Sequence, residues 1–275
     1  MQIIRFETGD GRVCLGAGFD GARARVLSGD LFADPENGLT PTGEEVEVKR
    51  LLAPLDPAAV FCIGLNYRRH ARETGFDLPR YPVVFMKNPG AVTGPGAPIV
   101  IPPICLDPPE VDFEAELGVV IGRAGVNIPE DQALDHVLGY VTTNDISARR
   151  WQKHAGGGQW VRAKSYDSFC PMGPFLSTDI KDPQDLEIQC RVNGELFQNS
   201  NTRDMIFSVA HIISYLSQST TLLPGTLILT GTPEGVGYTR KPPVYLKPGD
   251  HLETRIQDLG ILENPVTEGN SCHGR

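Results

Sequence analysis

Residues 111–122, VDFEAELGVVIG, form a strand-like run of apolar residues that carries two carboxylates. Side chains alternate between the two faces of a strand, so Glu114 and Glu116 point the same way. Phe113 and Leu117 point to the other face. Two like charges on one face repel, and the interior of a sheet does not accept them without a positive partner. A divalent cation bound by oxygen ligands meets this requirement. A solvated strand face is the alternative for the pair taken alone.

The chain of 275 residues is long enough for one large domain, or for a small domain and a larger one. With 40% hydrophobic and 21% charged residues, it can bury a full core. The 23 prolines and 30 glycines fit many short strands that are joined by turns. A net charge of −9 argues against nucleic acid as a non-specific partner, since that function needs a basic surface.

The beginning of the chain, MQIIRFETGDG, has no cationic segment followed by a long apolar one, and no apolar run approaches the roughly 20 residues of a membrane span. We therefore expect no membrane association. The six cysteines are scattered and include no Cys-x-x-Cys pair, which favours reduced, mostly buried thiols. These observations predict a cytoplasmic protein without disulfides or zinc.

Residues 1–56 alternate short strand-like segments with turns, and Asp10-Gly11 is typical of a hairpin. We interpret them as a small N-terminal β-rich domain without catalytic residues. The remainder, 57–275, is predicted to be the catalytic domain. The expected fold class is mixed, mainly β with some α.

An apolar strand from Val60 leads into the segment RRHARETG, which is typical of a short helix closed by Gly75. His70 and Glu73 lie at i and i+3, on one face of that helix. A carboxylate beside an imidazole fixes its tautomer and raises its basicity, as a general base acting on water requires. A surface ion pair is the alternative.

Asp145 stands where the β-branched strand YVTTN ends, a frequent place for functional residues. Arg149 and Gln152 follow at i+4 and i+7, on one face of a helix predicted to begin at Asp145. The stretch Gly156–Gly158 matches no phosphate-binding loop and favours a mobile lid or a linker.

Two lysines lie in strand-like segments. Lys164, among aromatic residues, either faces an anion or extends its ammonium group to solvent. Lys87 is interpreted as a lysine at a strand edge, with a substrate carboxylate as the alternative partner. The turn formed by Thr230 to Thr232 offers hydroxyls and free amides that can bind a carboxylate.

Further along, Asn193-Gly194 predicts a type I′ hairpin turn. Residues 201–217 carry an apolar stripe at helical spacing, with Asn201 or Thr202 as the N-cap and His211 in a structural role.

Taken in order, these motifs resemble the fumarylacetoacetate hydrolase family over residues 60–266. The matching strings are GLNYRRHARE, VDFEAELGVVIG, TTNDISARRWQ, RAKSYDSFCPMGP and LTGTPEGVG. The segments QWVRAKSYDSFCPMGP and VNGELFQNSNTRDMIFS are most similar to the branch that contains fumarylacetoacetate-hydrolase-domain proteins and acylpyruvate hydrolases.

The resemblance implies a β-roll of mixed strands with a small N-terminal β domain, commonly in a homodimer. It also implies Mg²⁺, or Mn²⁺, bound by Glu114, Glu116 and Asp145. Three oxygen ligands leave about three octahedral positions for substrate and water.

From this resemblance we expect hydrolysis of the C3–C4 bond of a 2,4-dioxo acid to pyruvate and a carboxylic acid. His70, oriented by Glu73, would activate the water. The expected roles of the other residues are charge balance or substrate positioning, by Lys164, Arg149, Gln152, Thr230 and Thr232.

Two alternatives are open. The same metal-stabilised enolate serves an oxaloacetate tautomerase or decarboxylase, or an isomerase of hydroxymuconate-type acids. A non-catalytic binding protein on this fold is the second alternative.

Overall fold

The computed structural model describes residues 1–33, 38–155 and 157–269. The predicted class is confirmed, since strands greatly outnumber helices and form mixed sheets. The strands are β1 Gln2–Glu7, β2 Val13–Ala17, β3 Arg23–Ser28, β4 Thr40–Glu47, β5 Arg50–Leu52, β6 Ala59–Gly64, β7 Val83–Lys87, β8 Val92–Thr93, β9 Ile99–Ile101, β10 Val111–Asp112, β11 Ala115–Ile121, β12 Val137–Asn144, β13 Ser147–Ala148, β14 Cys170–Ser177, β15 Glu187–Val192, β16 Glu195–Asn201, β17 Thr226–Leu229, β18 His251–Ile256 and β19 Ile261–Glu268.

The helices are short. The α-helices are α1 Arg68–Thr74, α2 Trp160–Lys164 and α3 Val209–Leu216. Single 3₁₀ turns and one π-helical segment connect the strands, at Pro89–Ala91, Pro103–Cys105, Glu130–His136, Trp151–Ala155, Thr202–Asp204 and Gly237–Thr239. They link a strand to the next strand or, at Trp151–Ala155 and Thr202–Asp204, to an α-helix, so the sheets determine the architecture.

Among the described residues, the largest sheet has the order β4-β3-β2-β1-β14-β12-β11-β17-β6-β7, with β5 beside β1 and β8 beside β14. A second sheet has the order β16-β15-β18-β19-β9, and β10 pairs with β13. Most pairs are antiparallel, whereas β17–β6, β14–β8 and β19–β9 are parallel. Strand β11 therefore lies near the middle of the large sheet, between β12 and β17.

The N-terminal strands belong to this large sheet. Strand β1 pairs with β14 through Gln2–Ser177 and Ile3–Leu176, so hydrogen bonding continues across the predicted boundary. A division of the chain at residue 57 stays a prediction.

Strand β11 is buried on both faces, and the carboxylate that it carries, that of Glu116, is buried with it. Leu117 and Val119 point into the core formed with the second sheet and α3. Val120 points into a separate core with Val60 and Leu227. Glu116 shares the face of Val120, because alternate residues of a strand share a face. Its carboxylate is therefore inside the molecule, which excludes the solvated strand face.

The predicted hairpins at Asp10-Gly11 and Asn193-Gly194 are confirmed by the pairs β1–β2 and β15–β16. Asn193 and Gly194 have φ angles of 52° and 82°, as a type I′ turn requires. The described cysteines are free, and all but Cys14 are buried. Cys272 lies outside the described residues. No helix in the described ranges has both the length and the apolar composition to cross a membrane.

The helix predicted over residues 201–217 is wrong at its beginning. Strand β16 continues to Asn201, and a 3₁₀ turn follows at Thr202–Asp204. Helix α3 begins at Val209, and its N-cap is Ser208, whose Oγ accepts a hydrogen bond from His211 N. Asn201 caps the 3₁₀ turn instead, by accepting from Arg203 N. Pairing of Asn201 with Glu187 on β15 holds the chain extended up to this point, so the helix begins later.

Replacing Ser208 with alanine should lower the free energy of unfolding by about 1 kcal/mol, since the first turn of α3 loses its side-chain acceptor. Urea denaturation of the wild type and the variant measures this difference. Ser214→Ala, within the same helix, is the control and should have a smaller effect. Equal losses in both variants would contradict the assignment of the cap.

Candidate metal centre

The three predicted metal ligands converge because of the register between β11 and β12. Ala115 pairs with Asn144, and Glu116 pairs with Thr143, so the start of β11 lies beside the end of β12. The Asp145 amide donates to Glu114 O at 2.8 Å, which brings their side chains together. The carboxylate oxygens of Glu114, Glu116 and Asp145 lie within 4.8 Å of one another, and all three residues are buried.

The continuous strand expected over residues 111–122 is interrupted. Strand β10 ends at Asp112 and β11 begins at Ala115, so Glu114 lies in the break between them. The break is held by side-chain amides, since Glu114 N donates to Asn144 Oδ1 and Ala115 N donates to Gln198 Oε1. The carboxylates of Glu114 and Glu116 are therefore brought together by the interruption between β10 and β11. Simple alternation of side chains along one strand does not account for it.

Lys164 lies at the end of helix α2, so its predicted place in a strand is wrong. Its ammonium group is buried and does not extend to solvent. It donates to Glu114 Oε2 at 2.7 Å, to Asp145 Oδ2 at 2.6 Å and to Ser147 Oγ at 2.7 Å. Burial opposes the charge, but the two carboxylates prevail and raise the pKa of Lys164 above its usual value. Lys164 bridges two of the three candidate ligands.

Lys87 also supports the centre, although its strand β7 lies at the edge of the sheet. Its side chain is buried and donates to Asp145 Oδ1 at 2.5 Å and to Ile146 O at 3.2 Å. The expectation of an ordinary lysine at a strand edge is wrong, because the pleat directs this side chain inward. Both oxygens of Asp145 thus accept from an ammonium group.

Arg149 connects the centre to a second buried carboxylate. Its Nε donates to Asp112 Oδ2 at 2.9 Å, and its Nη2 lies 2.6 Å from Glu114 Oε1, an ion pair without hydrogen-bond alignment. Its Nη1 donates to Gln152 Oε1 at 2.9 Å. The predicted helix from Asp145 is absent there: β13 and the π-helical segment Trp151–Ala155 take its place, yet Arg149 and Gln152 still meet.

The charges around Glu114 and Glu116 differ. For Glu114, burial favours the neutral acid, but Arg149 and Lys164 outweigh it and hold the pKa well below its usual value. For Glu116, burial together with Asp145 and Glu114 raises the pKa well above its usual value. Glu116 is the candidate ligand that lacks a cationic partner at ion-pair distance among the described residues.

A divalent cation fits this donor set. Three carboxylates with oxygen atoms this close repel one another, and hard oxygen donors are those that Mg²⁺, Mn²⁺ and Ca²⁺ prefer. The hydrogen bond from Gly231 N to Glu116 Oε2, at 2.6 Å, fixes one oxygen of this glutamate and leaves the other for a cation. The contacts of the three carboxylates therefore support a metal centre.

The turn after β17 mainly holds this centre in place. Thr230 Oγ1 donates to Leu117 O, so this hydroxyl faces the neighbouring strand. Thr232 lines the cavity described below, and its hydroxyl accepts from Gln198 Nε2 at 2.8 Å. Gln198 bonds both this turn and the break before β11, a link that no local sequence signal shows.

The predicted pair of His70 and Glu73 is formed on helix α1. His70 Nδ1 lies 3.0 Å from Glu73 Oε2, and His70 is buried. Glu73 also accepts from Gly235 N at 3.0 Å and from Thr239 Oγ1 at 2.9 Å. Burial raises the pKa of Glu73, but the bonds from His70 and Thr239 outweigh it and lower the pKa. An ionised Glu73 places the imidazole proton on Nδ1 and leaves Nε2 as a base.

These groups open into one cavity of about 710 Å³. Its polar wall includes Glu114, Glu116, Lys164, Arg149, Gln152, His70, Thr232, Lys153 and Tyr238. Its apolar wall includes Ile63, Leu65, Phe76, Val83, Phe85 and Trp160. Gly158, from the predicted glycine lid, also lines the cavity, whereas Gly156 lies outside the described residues. A base, the carboxylates of Glu114 and Glu116, and two buried cations therefore face the same space.

Several residues of the site escaped the sequence analysis. Asp112 accepts hydrogen bonds from Arg149, Phe113 N, Gly237 N and Tyr238 N. In the sequence it is an acidic residue beside an apolar run, and no local signal distinguishes it. Ser147 and Asn144 likewise carry no local sequence signal, although both side chains have buried hydrogen-bond partners. Their roles depend on contacts between distant segments.

A family model described as "Fumarylacetoacetate (FAA) hydrolase C-terminal" matches residues 59–267, and one described as "Rv2993c-like, N-terminal" matches residues 1–54. The chain belongs to the fumarylacetoacetate hydrolase family. The resemblance drawn from the motifs is thereby confirmed. The chain is an enzyme of this family.

Several of its relatives carry the names of tautomerases or isomerases. A protein of Xenopus laevis named oxaloacetate tautomerase fahd2, mitochondrial, is 49% identical over 219 residues, which cover 78% of this chain and 68% of the relative. The solved structure of a 2-hydroxyhepta-2,4-diene-1,7-dioate isomerase from Mycobacterium marinum is 39% identical with a TM-score of 0.83. That of a 5-carboxymethyl-2-hydroxymuconate delta-isomerase from Mycobacterium smegmatis is 36% identical with a TM-score of 0.84. Each match covers 98% of this chain and 100% of the solved chain.

Replacing Glu116 with glutamine should abolish stabilisation by a divalent cation, because the centre loses the carboxylate that has no other cationic partner. A ligand that binds only the folded state stabilises it by about 2.7 kcal/mol at a concentration 100 times its Kd. We expect Mn²⁺ to raise the Tm of the wild type and to leave that of Glu116→Gln unchanged.

The matched control is Glu234→Gln, which removes a glutamate that is paired with Arg69 outside the triad. This variant should keep the Mn²⁺-dependent increase in Tm. An equal increase in Glu116→Gln and in the wild type would contradict the metal centre.

Proposed function

We propose that this enzyme interconverts the enol and keto forms of oxaloacetate or of a closely related 2-oxo acid, with a divalent cation, Mg²⁺ or Mn²⁺, bound by Glu114, Glu116 and Asp145. The observation that carries the proposal is the position of His70, a base oriented by Glu73, on the cavity that Glu114 and Glu116 of this triad also line. When bound, the cation supplies Lewis-acid stabilisation of negative charge on an enol oxygen.

The residues of the chain supply the proton transfer. In the conversion of enol to keto form, the enol oxygen loses a proton and C3 gains one, so no oxidant or co-reactant is needed. His70 Nε2 is the group that moves this proton, since Glu73 occupies Nδ1. The buried location of His70 limits exchange of the proton with bulk water.

Arg149 and Lys164 orient the substrate. Both cations line the cavity and already bond to Glu114, so an incoming carboxylate meets donors that are fixed in direction. Gln152, which is held by Arg149, lies beside them and offers its amide as a further donor. These contacts support a position of the 2-oxo acid head group next to Glu114 and Glu116.

Tautomerisation is preferred over the hydrolysis expected from the motifs for a specific reason. Hydrolysis needs the same base and enolate stabilisation, and in addition a water that is directed at a second carbonyl. The contacts in the cavity support the shared part of the two reactions. The names of the relatives favour tautomerisation and isomerisation. C–C hydrolysis and decarboxylation are the lesser possibilities for the same site.

A second candidate is the isomerisation of a longer 2-hydroxy-dienoic diacid. The cavity of about 710 Å³ is larger than oxaloacetate needs and is within the range of pockets for drug-sized ligands. Phe76, Val83 and Trp160 form an apolar wall along which a conjugated carbon chain can lie. The chemistry at the head group is the same, because both reactions pass through a stabilised enolate.

A non-catalytic protein is disfavoured, since a binding module has no physical need for three converging buried carboxylates beside an oriented base. We further propose a homodimer in the cytoplasm with a small 2-oxo acid as its substrate and no nucleic-acid partner. The Xenopus relative is named a mitochondrial protein, so location is a property to be measured.

One assay panel separates these reactions. The Mg²⁺-loaded enzyme is given enol oxaloacetate, and the loss of enol absorbance is followed together with pyruvate release; acylpyruvates are tested in parallel. We expect rapid loss of the enol without pyruvate. Pyruvate release from acylpyruvates, with no acceleration of tautomerisation, would contradict the proposal and restore hydrolysis.

His70→Ala should lower kcat for tautomerisation by about 10²- to 10⁴-fold, the usual contribution of a general base. The Kd for Mn²⁺, measured by calorimetry, should stay within about twofold of the wild type, because the variant keeps all three carboxylates. His251→Ala, an exposed histidine on β18, is the control and should keep full turnover. Full turnover in His70→Ala would remove this base from the mechanism.

A further inference from the structure

We propose that Lys153 binds the second carboxylate of a dicarboxylic substrate, and so makes the cavity selective for 2-oxo diacids over 2-oxo monoacids. This inference rests on the proposed function, because it assigns the far end of a substrate whose 2-oxo acid head lies at the triad. This role requires a positively charged side chain that faces the cavity and forms no ion pair with a carboxylate of the protein.

The position of Lys153 is set by an aromatic ring. Lys153 lies in the π-helical segment Trp151–Ala155 and lines the same cavity as Glu114 and Glu116. Its Nζ is 3.5 Å from the centroid of the Tyr238 ring. Asp112 accepts from Tyr238 N at 3.0 Å and so holds the 3₁₀ turn that carries this ring. Lys153 is exposed, and the cation–π contact favours this position of its ammonium group.

The other cations of the cavity wall are already paired. Arg149 has Asp112 and Glu114, and Lys164 has Glu114 and Asp145. Within residues 1–33, 38–155 and 157–269, Lys153 forms no ion pair with a carboxylate. Among the described residues of this wall, its ammonium group is thus a cation that is not already paired with a carboxylate of the chain.

The charges around the cavity favour an anionic ligand. Glu73, Asp112, Glu114, Glu116 and Asp145 supply five negative charges, and Lys87, Arg149 and Lys164 supply three positive ones. A divalent cation together with Lys153 then leaves a net positive charge, which an anion bound in the cavity compensates.

The electrostatic surroundings agree with this assignment. Burial and the nearby Arg149 guanidinium lower the pKa of Lys153, and they outweigh the carboxylates of Asp112, Glu110 and Glu114, which act in the opposite direction. A carboxylate placed beside the ammonium group would offset both effects, since an opposite charge favours the charged form.

The test uses Lys153→Met, which keeps the apolar stem against Tyr238 and removes the charge, and Lys153→Arg, which keeps the charge. The control is Lys181→Met, a surface lysine that does not line this cavity. For each enzyme, kcat/KM is measured for the enols of oxaloacetate and of phenylpyruvate, which lacks the second carboxylate.

In Lys153→Met the ratio of kcat/KM for oxaloacetate to that for phenylpyruvate should fall by about tenfold or more, mainly through KM, as loss of a charge-assisted hydrogen bond predicts. Lys153→Arg should restore most of the ratio, and Lys181→Met should leave it unchanged. A purely structural role would lower both activities together. A ratio in Lys153→Met within about twofold of the wild type would overturn the assignment.

A binding measurement separates this inference from the proposed reaction. Calorimetry on the Mn²⁺-loaded protein compares 2-oxoglutarate with 2-oxopentanoate, which have equal carbon chains and differ in the distal carboxylate. The wild type should prefer the diacid, and Lys153→Met should lose about tenfold of that preference. This result stands even if oxaloacetate is not turned over. No preference in the wild type, or an equal preference in both proteins, would overturn the inference.

Discussion

The structure depends on a network of buried charges that spans five segments of the chain. Lys87 from β7 and Lys164 from α2 hold Asp145, while Lys164 and Arg149 hold Glu114. Burying charged groups is costly unless they are paired, and removing one partner of a buried pair is strongly destabilising. The network therefore positions its members precisely, but it leaves Glu116 with a backbone amide as its hydrogen-bond donor. That imbalance is the physical basis for a cation at this point.

The order of strands explains why the sites for metal, base and substrate coincide. Antiparallel pairing of β11 with β12 brings the two ligand-bearing segments together, and β17 beside β11 delivers the turn that carries Gly231 and Thr232. Strand β6 pairs with β17 and leads into helix α1, which carries His70. The groups proposed for catalysis thus come mostly from neighbouring strands of one sheet. The proposed reactions share proton transfer to or from an enolate, and enol–keto transfer needs the fewest additional groups.

Much of the site could be predicted from the sequence where the signal is local. The spacing of His70 and Glu73 on a helix closed by Gly75, and the apolar run that surrounds Glu116, are such signals, and the helix and the burial are confirmed. The break at Glu114 could not be predicted, because Asn144 and Gln198 from distant strands hold it open. The same reason applies to Lys87, whose strand lies at the edge of the sheet, and to Asp112, whose partners include a turn more than a hundred residues away. For Lys164, contacts of helix α2 with the sheet override a strand-like local pattern.

The central claim is that Glu114, Glu116 and Asp145 together bind one divalent cation. Crystals of the full chain soaked in MnCl₂ and measured near the manganese absorption edge test it most directly. We expect a single strong anomalous peak at about 2.0–2.3 Å from one oxygen of each carboxylate, as six-coordinate oxygen ligation requires. Absence of a peak at the triad, or a peak only at exposed acidic residues elsewhere, would contradict the claim.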